Sequence, residues 1–266
     1  RVEYVDPTRN IQRAQELKAK YNLADLDSVL ILEYDGRHRV VNIAEMGEFD
    51  LSPVAQGGAP VLLAFRGEQV LASAMMSLIT PEAETVYFLE GHGEASPGRQ
   101  TGKFAEAISL QNASVKPLSL AGSDTVPSDA SAIVIAGAQT DLEEREAAVL
   151  GAWLRAGGKM LVLLNPNAAT PRLHSLLSNS GIVPRNDRVL RLIELPFATG
   201  ILRDVTAQVL PNAEITRRLE GMNLLFTGAT QSLGFDAPLA ESEKIRIRPL
   251  VQAAEEFWGE TDYAPN

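Results

Sequence analysis

The sequence predicts an α/β fold: a mostly parallel sheet flanked by helices, preceded by a small β-α-β-β module. Three observations carry this. Ser131–Ala136 (SAIVIA) and Lys159–Leu164 (KMLVLL) are continuous apolar runs of strand length, the pattern of strands covered on both faces in a parallel sheet. Between them, Thr140–Ala156 places Val149, Leu150, Trp153 and Leu154 on one helical face. From Val86 to Leu164 the segments follow the order β-α-β-β-α-β, as when helices cross over a sheet.

The elements follow in chain order. Residues 2–5 (VEYV) alternate as a strand, and Asp6-Pro7-Thr8 breaks it. Ile11–Tyr21 has apolar residues at 11, 14, 17 and 21, a helical stripe. Ser28–Glu33 and Val40–Ile43 flank Tyr34-Asp35-Gly36-Arg37, a hairpin turn centred on Asp-Gly. Residues 47–60 are rich in Gly, Pro and acids and read as a loop or linker. The expected division is a small module with its linker at 1–60 and the main α/β domain at 61–266. Gln69–Ile79 reads as a helix with Leu71, Ala74, Met75 and Leu78 inward, and Met75-Met76 as core filler.

Strand 86–89, a Gly-His-Gly-Glu loop, a helix near 101–112 and a strand at 114–120 come next. Thr140 and Glu143 fit a capping box for the helix that follows, and Gly157-Gly158 ends it. Asn165-Pro166 stops the next strand. Leu173–Leu177 is a short helix and Ile182–Leu192 is extended. Residues 193–222 show no clean period, and Asn223–Thr227 returns as a strand. Ile245–Val251 alternates Ile and Arg as an exposed strand edge, and Trp258 packs a C-terminal segment.

Composition narrows the function. The net charge is −10 and the pI about 4.9, a balance that repels a phosphate backbone, so nucleic acid is not an expected partner. The absence of cysteine removes thiolate catalysis, Cys-ligated zinc and disulfides. The three histidines, His38, His92 and His174, form no HExxH pattern, and no metal or cofactor is expected. No apolar run approaches the ~18–20 residues of a membrane span. The chain opens on Arg1 and is expected to be a piece of a longer protein.

The chemistry concentrates in Val86–Glu94, VYFLEGHGE. A loop between strand and helix lies at the carboxyl edge of a parallel sheet, where open α/β folds bind ligands. Gly91 and Gly93 admit backbone conformations closed to other residues. His92 is a potential general base or ligand contact, and Glu94 can orient it or hold a cation. The serine elbow GxSxG is absent, and Ser96 lacks flanking glycines. GHGEASPG is neither GxGxxG nor a phosphate loop. His38, His174 and the run Glu143-Glu144-Arg145-Glu146 read as solvated surface.

Several stretches together resemble the extracytoplasmic domain of the ABC-type transport auxiliary family, which includes the gliding-motility-associated ABC transporter accessory protein. Phe65-x-Gly67-Glu68 opens a helix, and Gly91-His92-Gly93-Glu94 forms the loop. VEYVDP, the segment from Asn212 through NLLFTGATQSL, and Arg248-Pro249-Leu250 through Trp258 complete the order. Asn212-Ala213 stands where that family usually has His-Pro.

The resemblance implies a glutamine-amidotransferase-like sheet domain, without the cysteine that amidotransferases use. It also implies a small module similar to the second half of a thioredoxin-like fold, without its redox cysteines. The expected protein is non-enzymatic and lies on the periplasmic or extracellular face of a bacterial membrane. It is tethered by segments outside this region and works with an ABC ATPase and a permease. Gly91, His92, Gly93, Glu94 and Glu68 are the expected ligand-binding residues, with no catalytic residue among them. A hydrolase using His92 with Glu94 or Glu68 is the rival. A glycan-binding module is the third reading, with only Tyr87 and Phe104 as aromatics near the loop.

Overall fold

The computed structural model describes residues 2–23, 28–80, 82–98, 101–211 and 213–262. Asn212, where the resemblance through NLLFTGATQSL begins, lies outside them. The chain divides into two compact units, Arg1–Thr85 with Gly102–Val115, and Val86–Thr101 with Lys116–Asn266.

In the first unit, helix α1 (Ile11–Tyr21) buries Tyr21. The Tyr21 hydroxyl donates to Glu33 at 3.1 Å, and Lys20 pairs with the same carboxylate at 3.0 Å. Strands β1 (Val29–Tyr34) and β2 (Arg37–Asn42) pair antiparallel with Tyr34 opposite Arg37. Asp35 and Gly36 both take positive φ, 49° and 74°, as a two-residue turn matching strand twist requires.

Residues 2–5 form no strand, and Val2 and Tyr4 stand 96% and 90% exposed. A strand needs a partner for its ladder, and none of the described residues supplies one. Glu3 is instead held by the Arg13 guanidinium at 2.9 Å and 3.0 Å. The expected β-α-β-β module is therefore α-β-β.

The expected loop 47–60 also differs. It contains β3 (Gly47–Asp50) and a short 3-10 turn at Ser52–Gln56. β3 pairs antiparallel with β4 (Val61–Phe65), whose apolar run supplies the strand partner. Helix α2 (Gly67–Ile79) buries Gly67, Val70, Ala74 and Leu78. That stripe is set by Val70, so Met75 and Met76 fall outside it and are half exposed, at 50% and 49%. They are not core filler. Helix α3 (Gly102–Ser109) also belongs to this unit, where Arg66 pairs with Glu106 at 2.7 Å. Val41, Val70 and Ala74 form the unit's small core, with Leu30, Leu32, Met46 and Leu110 against it.

The main sheet contains β5 (Glu84–Leu89), β6 (Ala113–Leu118), β7 (Ala130–Ala136) and β8 (Met160–Leu163), in the order β6-β5-β7-β8. β7 and β8 run parallel with Ile133 opposite Met160. Helices α4 (Glu144–Arg155) and α5 (Pro171–Ser178) add Leu150, Leu173 and Leu176 to a core with Leu89, Leu120, Ile133 and Ile135. β8 is not covered on both faces. Met160 and Val162 pack inward, while Leu161 and Leu163 are exposed, because β8 is the edge of its sheet.

The rest of the unit is antiparallel. It holds β9 (Ile182–Pro184), β10 (Arg188–Leu195), β11 (Ala198–Leu202), β12 (Val205–Val209), β13 (Asn223–Phe226) and β14 (Leu233–Phe235). Helix α6 (Ala237–Ser242), β15 (Val251–Ala253) and β16 (Trp258–Glu260) follow. The strands form three small sheets, β11-β10-β16, β13-β12-β15 and β14-β9. β12 lies within residues 193–222, where no clean period was expected, and Val205, Ala207 and Val209 alternate inward along it. Ile245–Leu250 is not a strand. The buried Asp187 carboxylate ties two of these segments, accepting from the Ser232 N–H at 2.8 Å and its hydroxyl at 2.6 Å.

Candidate functional site

β5 delivers the Gly-His-Gly-Glu loop at its carboxyl end. Gly91 and Gly93 take φ of 126° and 78°, a region that strains any side-chain-bearing residue. The turn they make presents the His92 carbonyl to the loop after β7. It accepts the Gln139 N–H at 2.7 Å and the Thr140 N–H at 3.1 Å. Just beyond, the Ala95 N–H donates to the Ala136 carbonyl at 2.8 Å. Two neighbouring loops at the carboxyl edge are thus joined through backbone hydrogen bonds. Thr140 is used there, and α4 begins later, with Glu143 as its N-cap rather than Thr140.

The His92 side chain turns inward and is buried. Its Nδ1 lies 3.0 Å from Glu94 Oε1 and its Nε2 lies 2.7 Å from Glu146 Oε2. The Glu94 and Glu146 side chains are 1% and 7% exposed. Glu94 Oε2 also accepts the His92 backbone N–H at 2.8 Å, and Glu146 Oε2 accepts the Glu143 N–H at 2.9 Å. The positive end of α4 supports the Glu146 charge. The result is a buried carboxylate–imidazole–carboxylate bridge from the end of β5 to the first turn of α4.

This geometry constrains the chemistry. Both ring nitrogens are engaged by carboxylate oxygens. A general base needs a free lone pair within reach of a substrate proton, and here each ring nitrogen already faces a carboxylate oxygen. No serine or threonine hydroxyl of the described residues bonds the ring, so the contacts of a nucleophile–histidine–acid triad are not formed. Among the described residues no group of three His, Asp or Glu side chains is arranged to hold a metal ion.

Glu94 meets His92 as an orienting carboxylate would, whereas Gly91 and Gly93 keep exposed backbone at the sheet edge. Glu68 is exposed in the first turn of α2, in the other compact unit, and lines an open depression with Phe65, Gln69 and Met76. The residue that sequence reasoning missed is Glu146. It is not solvated surface but the partner of His92. The signal was its position one helical turn before the buried Leu150 on the same face of α4.

Tyr87 is buried in the core and its hydroxyl donates to Asp129 at 2.9 Å. It offers no open face on which a sugar ring would stack. Burial first, then Asp129, pushes the Tyr87 phenol up. Lys116 bonds the same carboxylate at 2.9 Å. Lys116 first and Tyr87 second hold the Asp129 carboxyl below its ordinary value.

A family model described as an ABC-type uncharacterized transport system matches residues 83–263. A search of the curated proteins finds no match. Among solved structures, the mmIFT52 N-terminal domain is similar at 22% identity and a TM-score of 0.43, covering 58% of this chain and 69% of that one.

Proposed function

We propose that this chain, which belongs to the ABC-type uncharacterized transport system family, is a non-enzymatic auxiliary component of such a system that binds a partner protein or ligand at the Gly-His-Gly-Glu edge. In this reading the sheet domain is amidotransferase-like but without a nucleophile, and the first unit is a partial thioredoxin-like module without redox cysteines. The protein sits on the extracytoplasmic face of a bacterial membrane, held there by segments outside residues 1–266. It works beside an ABC ATPase and a permease, as gliding-motility accessory proteins of the family are expected to do.

The observation that supports this best is the His92 bridge. A histidine with both nitrogens engaged by buried carboxylates shapes an edge and does not serve as an exchangeable base. What remains open at that edge is backbone at Gly91 and Gly93 and the exposed side chains of Gln139 and Thr140, which suits recognition of another surface. The hydrolytic reading draws on the 3.0 Å contact of His92 with Glu94. It requires Nε2 to leave Glu146 for a hydroxyl or water. The glycan reading loses Tyr87, which is in the core, and its other aromatic, the exposed Phe104, belongs to the other unit.

Affinity purification of the tagged full-length protein from native membranes tests the proposal. Recovery of an ATPase and a permease is the expected result. Recovery of neither would overturn the transporter assignment.

A further inference from the structure

We propose that the first unit carries a binding site for a small zwitterion, an amino acid or short peptide, in the cleft between β2, α2 and α3. The cleft has a volume of about 440 Å³, inside the roughly 300–1,000 Å³ range of small-ligand sites. Its floor is apolar, formed by Val41, Val70, Ala74 and Leu110. Charged groups of both signs stand around that floor, namely Arg39, Arg66, Glu45 and Glu106. Polar groups that converge on an apolar base fix a ligand's orientation.

The anchors define the ligand. Arg66 gives Nη1 to Glu106 at 2.7 Å, but its Nε is buried and has no acceptor. The Arg66 side chain is therefore committed to Glu106 and adds positive charge to the wall of the cleft. Arg39 also lines the cleft and forms no ion pair with Glu45 or Glu106, so its guanidinium is available to an anion. The open Arg39 guanidinium favours a carboxylate, which takes charge-assisted bonds from it.

Glu45 argues against an isolated anion. One of its oxygens accepts the Asn42 N–H at 3.3 Å, and the carboxylate supplies the negative counterpart that an ammonium needs. The formal charges of Arg39, Arg66, Glu45 and Glu106 cancel, so a zwitterion enters without net charge cost, whereas a phosphate meets two carboxylates. The residues lining the cleft include no aromatic, which disfavours sugars and nucleobases, whose faces are usually stacked. The Ser73 hydroxyl on α2 can exchange hydrogen bonds with a peptide backbone, and the Ser77 hydroxyl, which donates to the Ala74 carbonyl at 2.8 Å, can accept one.

The test is an NMR titration of the full chain with triglycine, against triglycine amide as the control that lacks the carboxylate. The readouts are the Arg39 Nε–H resonance and the Ser73 and Ser77 amides. Saturable shifts with triglycine are expected, with affinity weakened on the order of tenfold for the amide, the loss of one charge-assisted bond. Arg39→Gln, on an exposed side chain, should weaken triglycine similarly while leaving the fold intact. No shift at millimolar triglycine, equal shifts for acid and amide, or unchanged binding in Arg39→Gln would each overturn the proposal.

Discussion

Replacing Glu146 by Leu removes the acceptor from His92 Nε2 and from the Glu143 N–H at once. The imidazole stays buried with one carboxylate instead of two. Leaving a buried hydrogen-bonding group without its partner costs about 1–3 kcal/mol. The lost helix-cap bond overlaps with that figure, adding at most about 1 kcal/mol. His92→Leu leaves two carboxylates, 1% and 7% exposed, without the ring, and its cost should be at least as large.

In the double variant the uncompensated ring and the Glu146 carboxylate are both gone. Glu94 keeps the backbone N–H of position 92, which sits 2.8 Å away in the wild type. The double variant should therefore be less destabilised than the sum of the two single variants, by about 1–3 kcal/mol. Urea unfolding followed by tryptophan fluorescence measures this. Trp153 and Trp258 are the protein's two tryptophans and both lie in the second unit. With a slope of roughly 2 kcal/mol/M, each single variant should lower the midpoint by about 0.5–1.5 M. Single costs below about 0.5 kcal/mol that add would refute the bridge.

Three further outcomes follow from the same structure. Asp129→Asn should lower stability at neutral pH. The folded carboxyl lies below its unfolded value, so its contribution is full above about pH 3.9 and fades as pH falls through the folded value. The gap between wild type and variant should therefore close in acid urea titrations. It should also narrow at high pH, because the Lys116 ammonium, raised chiefly by Asp129, contributes fully below about pH 10.4 and loses its share above its folded value. Gly259→Ala should destabilise by about 1–3 kcal/mol, since a Cβ there would clash with the buried Asp187 carboxylate. An unchanged urea midpoint would contradict the placement of β16. Leu150→Ala, at a fully buried position, should cost about 2–5 kcal/mol in the same assay, and a cost near zero would contradict the core assignment.

Local chemistry made several elements legible in the sequence. Asp35-Gly36 specified its hairpin turn because both residues accept positive φ. β7 and the inward face of α4 followed from periodicity, and Gly157, with φ 89°, ended the helix as expected. What escaped depended on partners distant in the chain. Residues 2–5 alternate like β12, but only β12 has strands to pair with. Met75 is apolar in an apolar helix, and its exposure depends on which stripe meets β2 and β1. Gly91, His92, Gly93 and Glu94 were legible as a loop because glycine spacing is local. Glu146, 54 residues from His92, was hidden in a charged run whose other members are solvated. Glu68 and the loop were brought together only by motif order, and they belong to different units.

The most direct test of the central claim is a photo-crosslinking amino acid at Gln139 in the full-length protein in its native cells. Gln139 is exposed, and its side chain borders Gly93 at the sheet edge. The account predicts a covalent adduct with a subunit of the ABC transporter. Crosslinking only to proteins unrelated to transport, or no adduct at Gln139 while purification still recovers the transporter, would contradict the assignment of the partner surface to this edge.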